Sequence, residues 1–365
     1  EMLSSLMNMK RGIAIAGTHG KTTTTSLVAS IFTEASLDPT FINGGIINSF
    51  ASNAKLGKGD YLVAEADESD QSFLMLQPSV SIITNIEEDH LINYGNDFEN
   101  LRKAFLSFVK KLPFDGLLIA CGDDPEVQKL LPQCSRPNVT YGFDETNDYV
   151  ISNYEPSEFR SHFLLTYSGQ SIQIDLNMLG RHNALNASAA CVLAIEEGID
   201  TSIIQVALKN FMGISRRMQV VGNMNIKNSN LILIDDYGHH PSEIKNTIES
   251  IRESHPKKKL TMVFQPHRYS RTKDLFEEFV EVLQLVDQLI LLDVYPAGED
   301  LIKNYESKDL LKKLKDTTLN VCLSEESKVN IAIEESLENH EGIILMQGAG
   351  NISKISESLM KAYGN

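Results

Sequence analysis

What most limits the fold of this chain is a repeated alternation. Short, continuous apolar runs at 12–16, 61–64, 80–84 and 117–120 are separated by stretches with helical periodicity, such as 98–112. A strand that is apolar at every position is buried on both faces, and parallel strands need crossover connections long enough to hold a helix. The order therefore predicts an α/β fold with a mostly parallel sheet. Between 148 and 179 the texture changes: Phe163-Leu-Leu-Thr-Tyr and Ile172-Gln-Ile-Asp-Leu alternate, split by Ser168-Gly-Gln, which predicts a small antiparallel hairpin. Helical patterns at 184–197 and 201–211 are expected to pack on this first sheet. From 231 a second series begins, with apolar runs at 231–234, 260–264, 288–292 and 343–346, and it reads as a Rossmann-like, doubly wound sheet.

At 365 residues the chain exceeds one ordinary core, and we expect two domains, 1–217 and 218–365. No run of about 18 apolar residues is present, so a soluble protein is expected and no membrane partner. A net charge of −16 repels the backbone of nucleic acids, which excludes them as partners and requires that any phosphate-bearing ligand be held by a local cationic site. Cys121, Cys134, Cys191 and Cys322 lie far apart, without zinc or disulfide spacing, and read as reduced thiols of a cytoplasmic protein. Residues 1–12 carry no basic-then-apolar leader pattern.

The first apolar run ends in Gly17-Thr18-His19-Gly20-Lys21-Thr22-Thr23 and continues as a helix pattern over 22–35. A helix N-terminus offers unpaired N–H groups and the positive end of a dipole, so a glycine-containing strand-to-helix loop suits phosphate. Gly17 and Gly20 would let the backbone approach a triphosphate, Lys21 would reach its terminal phosphates, and the Thr22 hydroxyl would ligate magnesium. The glycine spacing departs from the strict phosphate-loop pattern, since the residue five before Gly20 is Ile15. Read instead as an ordinary turn, the segment would leave Lys21 a solvated lysine.

Glu65-Ala-Asp-Glu-Ser-Asp70 follows the second apolar run, and strand ends of such sheets line the ligand crevice, which makes Glu65 the candidate carboxylate for the metal. Asp67, Glu68 and Asp70 read equally well as a solvated acidic loop. Thr84-Asn-Ile-Glu-Glu-Asp-His90 offers His90 as a ligand for a second magnesium, although a lone histidine is more often structural.

These elements, in this order, resemble the Mur ligase family over essentially the whole chain. The resemblance continues through Gly180-Arg-His-Asn-Ala-Leu-Asn, Phe211-Met-Gly-Ile-Ser-Arg-Arg, Asp235-Asp-Tyr-Gly-His-His-Pro and Phe264-Gln-Pro-His-Arg-Tyr-Ser-Arg-Thr. It implies a central ATP-binding domain followed by an amino-acid-binding Rossmann-like domain, and amide-bond formation through an acyl phosphate, with ATP and Mg2+. The last two motifs are similar to those of the alanine-adding branch, which implies UDP-N-acetylmuramate and L-alanine as substrates. Thr22, Glu65 and His90 match the family's magnesium positions; His182, Asn183 and Asn186 match its adenine-contacting segment, where Asn183 would also suit a helix cap. Arg217, with Arg216 beside it, falls where the family places a phosphate-contacting arginine, and Asp236 where it contacts the ribose of ATP. Tyr237 and His239 share that loop, and His267, Arg268 and Arg271 would pair with the amino-acid carboxylate, for which a guanidinium fork is suited. Gly348-Ala-Gly350 resembles a further anion-binding turn or a plain tight turn. The family's domain for the uridine diphosphate sugar has no counterpart here, so we expect ATP to be bound and the sugar nucleotide to be held poorly. The competing readings are the ligase that recycles murein tripeptide and a silent nucleotide-binding regulatory module.

Overall fold

The computed structural model describes residues 2–89, 91–317, 319–337 and 341–364, so His90 lies outside the described residues. The chain forms two compact units, Glu1–Ser215 and Arg216–Asn365.

The first unit is built on ten strands: β1 (Arg11–Ala16), β2 (Thr40–Ile47), β3 (Ser52–Lys55), β4 (Tyr61–Glu65), β5 (Val80–Ile83), β6 (Leu117–Cys121), β7 (Asn138–Gly142), β8 (Tyr149–Ser157), β9 (Arg160–Tyr167) and β10 (Gln170–Leu176). They lie in the order β10-β9-β8-β7-β6-β5-β1-β4-β2-β3. From β2 to β8 neighbours are parallel, while β3, β9 and β10 pair antiparallel at the two edges. Burial on both faces explains the unbroken apolar runs: Ile13 and Ile15 of β1 join one core, with Leu27, Ile31, Val192 and Leu193, while Ala14 and Ala16 join the other, with Phe73, Phe105 and Phe108. Helices Lys21–Glu34 and Arg181–Glu196 are buried nearly all round, and their small Thr, Ser and Ala residues let them pack closely on each other and on the sheet. Helix Phe98–Val109 starts at Asp97, whose carboxylate accepts from Glu99 N at 2.9 Å.

The expected hairpin is present as β9 and β10, joined by Ser168 (φ 46°) and Gly169 (φ 75°), the left-handed pair that matches strand twist. It belongs to a three-stranded meander, because β8 pairs with β9 through a register shift between Ser152 and Glu155 that breaks the alternation in the sequence. Three further strands escaped the sequence for local reasons. β2 is interrupted by Gly44-Gly45, β3 is a polar edge strand and β7 is short and mixed.

The second unit carries β11 (Gln219–Ile226), β12 (Ser229–Asp236), β13 (Lys259–Phe264), β14 (Gln288–Leu291), β15 (Asn320–Leu323) and β16 (Gly342–Gln347), in the order β11-β12-β16-β13-β14-β15. All pairings are parallel except β11 with β12, a hairpin turned by Lys227 (φ 48°) and Asn228 (φ 65°). On one face Ile344 and Met346 pack with Val329, Ile333, Ile352 and Leu359; Ile343 and Leu345, pointing the other way, are equally buried. Both β11 and β15 are edge strands of mixed polarity that the apolar-run pattern does not reveal.

Phe105 lies edge-on to Phe73 at 5.4 Å beneath the loop that follows β4. Phe105→Ala is expected to cost about 3–5 kcal/mol, read as a lower urea midpoint for the first unit's unfolding.

Candidate functional site

In the first unit, the loop between β1 and helix Lys21–Glu34 is shaped by two glycines. Gly17 (φ 136°) and Gly20 (φ 84°) sit where L-residues are strained, and a Cβ would stand 2.1 Å from Thr84 Oγ1 at the first and 2.3 Å from Asn186 Oδ1 at the second. The loop is stitched to the segment after β5: Thr18 N donates to Asn85 O (3.1 Å), His19 N to Asn85 Oδ1 (2.8 Å), Thr84 Oγ1 to His19 O (2.6 Å) and Glu87 N to Thr18 Oγ1 (2.8 Å). Gly20 begins the helix with no side-chain cap, so the first-turn amides, including those of Thr22 and Thr23, remain to meet an anion.

Lys21 is not a solvated lysine. It is 9% exposed, and its Nζ donates to Gly17 O (2.6 Å), Thr18 O (3.1 Å) and Glu68 Oε2 (2.7 Å). Glu68 therefore also departs from the solvated-loop reading: it is 1% exposed, and burial raises its carboxyl above the ordinary range even beside Lys21. Asp67 and Asp70 do sit in solvent, where their carboxylates accept from Ser69 N and Ser72 N and shape the turn.

Glu65 ends β4 and accepts from Thr22 Oγ1 (3.0 and 3.1 Å) and from Gly44 N (2.7 Å). A Cβ on Gly44 would lie 2.7 Å from Glu65 Oε2, so the glycine inside β2 is what allows this approach. A hydroxyl and a carboxylate converging beside a phosphate loop are hard oxygen donors, the set magnesium prefers. Asn183 does not cap helix Arg181–Glu196: Gly180 is its N-cap, and Asn183 Nδ2 donates back to Leu179 O (2.8 Å). Asn186 Nδ2 donates to Asn183 Oδ1 (3.3 Å), and its own Oδ1 faces Gly20, so this pair buttresses the phosphate loop. His182 is half-buried beside them.

In the second unit the residues after β12, β13, β14 and β16 gather at the carboxyl ends of the strands, where α/β sheets bind ligands. Asp236 is 6% exposed and accepts from Gly238 N (2.9 Å), Thr247 Oγ1 (3.3 Å), Gln347 Nε2 (2.7 Å) and Met218 N (2.8 Å). Three of these donors meet Oδ1 and one meets Oδ2, so Asp236, expected to meet the ribose of ATP, also organises its own loop. Arg216 is likewise committed, to Asp235 Oδ1 (3.3 Å), Gly350 O (3.1 Å) and Gly348 O, so the Gly348-Ala-Gly350 turn presents two carbonyls to a guanidinium. Arg217 reaches Glu243 at 3.5 Å and lies over the Tyr237 ring. His240 caps helix Pro241–Ser254, accepting from Ser242 N in a reciprocal box with Glu243.

The remaining candidates form one cluster. The His239 and His267 rings are 5.8 Å apart, Tyr237 stands edge-on to His239, and Tyr295 stacks on His267 at 5.5 Å and 9°. Arg271 Nη1 lies 3.3 Å from both His267 Nδ1 and His267 O. Arg268, held at φ 70°, opens helix Tyr269–Asp274 and faces Glu299 at 3.7 Å. Burial first, and then Arg271 among the neighbouring cations, hold both His239 and His267 down to about 4. They are neutral near pH 7, beside guanidinium groups suited to a carboxylate. Tyr295 and Gly44 lie at these sites without having been singled out in the sequence, and Glu68, which read there equally well as a solvated acid, contacts Lys21.

Fold and site together define a phosphate-loop α/β protein with a Rossmann-like second unit. Residues 15–194 match the Mur ligase middle domain, and residues 216–350 the Mur ligase, glutamate ligase domain. The chain belongs to the Mur ligase family. It is 50% identical, over 98% of its length and 75% of the relative's, to a UDP-N-acetylmuramate–L-alanine ligase of Baumannia cicadellinicola subsp. Homalodisca coagulata. Among solved structures it resembles the UDP-N-acetylmuramate–alanine ligase of Thermotoga maritima (TM-score 0.81, 29% identity, covering 98% of this chain and 76% of that one). A murein peptide ligase of Psychrobacter arcticus shares the fold (TM-score 0.69, 22% identity, covering 100% and 79%).

Two outcomes are expected. Lys21→Met leaves the Glu68 carboxylate buried and unpaired, costing about 3–5 kcal/mol in urea denaturation, and adding Glu68→Gln recovers most of that loss. For His239 and His267 the unfolded chain binds more protons than the folded one between about 4 and 6.5, so they contribute stability that is present above that window and lost as pH falls through it. Urea midpoints of the second unit, measured across that range, should depend less on pH in His267→Gln than in the natural sequence.

Proposed function

We propose that the protein carrying this chain is an ATP-dependent ligase that joins L-alanine to the carboxylate of UDP-N-acetylmuramate in peptidoglycan synthesis, releasing ADP and phosphate. The observation that carries this reading is 50% identity, across 98% of the chain, to a ligase of that name, together with the phosphate loop at Lys21.

The γ-phosphoryl group passes to a carboxylate oxygen, giving an acyl phosphate and ADP. The alanine amine then attacks the acyl carbon, a proton leaves the nitrogen, and the tetrahedral intermediate collapses with phosphate as leaving group. The chain's part in the first step is electrostatic: the open amides of Thr22 and Thr23 and the Lys21 ammonium stabilise charge that builds on the transferring phosphoryl oxygens. Thr22 and Glu65 would hold magnesium, which would supply charge neutralisation between phosphates; His90, expected as a further ligand, lies outside the described residues. Asn183, Asn186 and His182 would sit along the nucleotide base. In the second unit, Arg271 and Arg268 would pair with the carboxylate of alanine, while the neutral rings of His239 and His267, with Tyr237, would leave its ammonium unopposed by a second cation. Arg217 would be the arginine of the pair that meets phosphate, a reading supported by the bonds of Arg216 to Asp235 and the Gly350 carbonyl.

No helix among the described residues is long and apolar enough to cross a membrane, and a reaction that consumes ATP and a nucleotide sugar places the protein in the cytoplasm. The test is the natural gene product supplied with ATP, magnesium, UDP-N-acetylmuramate and a panel of amines, with ADP release and amide product both measured. L-alanine should be the preferred amine; preference for the murein tripeptide would assign the recycling reaction instead, and nucleotide binding without turnover on any amine would point to a regulatory module.

A further inference from the structure

We propose that Glu68 is a positioning residue that keeps the Lys21 ammonium docked on the loop carbonyls and thereby sets the cost of triphosphate entry. The inference rests on the phosphate-loop reading above. A lysine ammonium has three N–H donors, and all three are spent, on Gly17 O (2.6 Å), Thr18 O (3.1 Å) and Glu68 Oε2 (2.7 Å). An incoming phosphate must therefore displace one acceptor. The two carbonyls are neutral and part of the loop itself, whereas Glu68 is an anion competing with another anion for the same cation.

Glu68 cannot readily follow Lys21. Its backbone carbonyl accepts from Gln71 N (3.0 Å) and from the hydroxyl of the buried Tyr94, and its side chain is 1% exposed. Its second oxygen, Oε1, is buried with no hydrogen-bond partner. Once Lys21 turns to phosphate, the Glu68 carboxylate is left in a low-dielectric pocket with no cation, among Asp67 and Asp70 on its own loop and Tyr94. A buried charge stripped of its partner is costly, and that cost is subtracted from the affinity for nucleotide. With Glu68 on Lys21 the loop is self-neutralised, and a ligand must bring enough negative charge to outcompete a carboxylate.

The sign of the mutant effect separates this role from a merely structural one. Calorimetric titration of a non-hydrolysable ATP analogue, with magnesium, into the natural protein and Glu68→Gln should show Kd falling roughly tenfold in the variant, with KM for ATP falling and kcat not rising. Glu68→Met, which removes the charge at similar bulk, is read in the same way. Unchanged or weaker binding in both, while Lys21→Met/Glu68→Gln loses the analogue, overturns the proposal and leaves the phosphate loop standing. If that double variant binds the analogue as tightly as the natural protein, the phosphate-loop reading itself fails.

Discussion

The contact of the Lys21 ammonium with two loop carbonyls and the Glu68 carboxylate fixes the first unit's chemistry in place. It requires that the loop turn back on itself over a helix N-terminus, which only left-handed residues at Gly17 and Gly20 permit, and that the acidic loop after β4 be packed down rather than solvated. The parallel sheet supplies both. β4 and β5 flank β1 on either side, so the segments that follow them emerge beside the phosphate loop, one bringing Glu65 and Glu68 and the other Thr84, Asn85 and Glu87. Phe73, Phe105 and Phe108 join one core with Ala64 and Ala66, the buried residues that lead into Glu68.

The second unit holds its charges by a different device. Arg216 and Asp235 are paired, with Ser356 donating to the other carboxylate oxygen, and Asp236 accepts three donors on Oδ1 and one on Oδ2, so the adjacent acids of the Asp235-Asp236 pair serve as the framework of the loop. Beside this framework stand guanidinium groups and the imidazoles of His239 and His267, which burial holds neutral near pH 7. A carboxylate there would meet fixed cations, and an amine would not be repelled by protonated histidine.

How much of this was legible follows from what each residue's neighbours reveal. The unbroken apolar runs mark strands buried on both faces, and they located β1, β4, β5, β6, β12, β13, β14 and β16; the strands missed are edges, bulged segments, the short interior β7 of mixed polarity or, in β2, a strand interrupted by glycines of which Gly44 admits the Glu65 carboxylate. Lys21, Thr22 and Glu65 were readable as candidates because phosphate chemistry calls for such groups near a strand end, and the structure does bring Thr22 and Glu65 together. Glu68 was not, since within Glu65–Asp70 every acid looks alike by composition. One signal was available: Ala64, Ala66 and Glu68 continue the two-residue period of β4, and all three point inward. Asn183 and Asp236 were legible as important polar positions, but whether such a group faces a ligand or its own backbone depends on donors brought from distant segments, such as Gln347 for Asp236.

The overall charge of −16 gives these local arrangements a common cause. A strongly acidic chain that handles anionic ligands gains nothing from its general field and must concentrate cations at a few points. An unpaired buried cation is itself unstable, so each is neutralised when no ligand is present: Lys21 by Glu68, Arg216 by Asp235 and two carbonyls, Arg217 by Glu243, Arg268 by Glu299. The partners differ in how firmly they are held. Asp235 is buried and bonded on both oxygens, which commits Arg216 to structure, whereas Glu68 has one oxygen unbonded and Glu243 and Glu299 are partly open to solvent. Arg216 therefore keeps its own anion, whereas at Arg217 and Arg268 solvent lowers the cost of parting from Glu243 and Glu299, and at Lys21 the burial of Glu68 makes that cost high and part of any exchange.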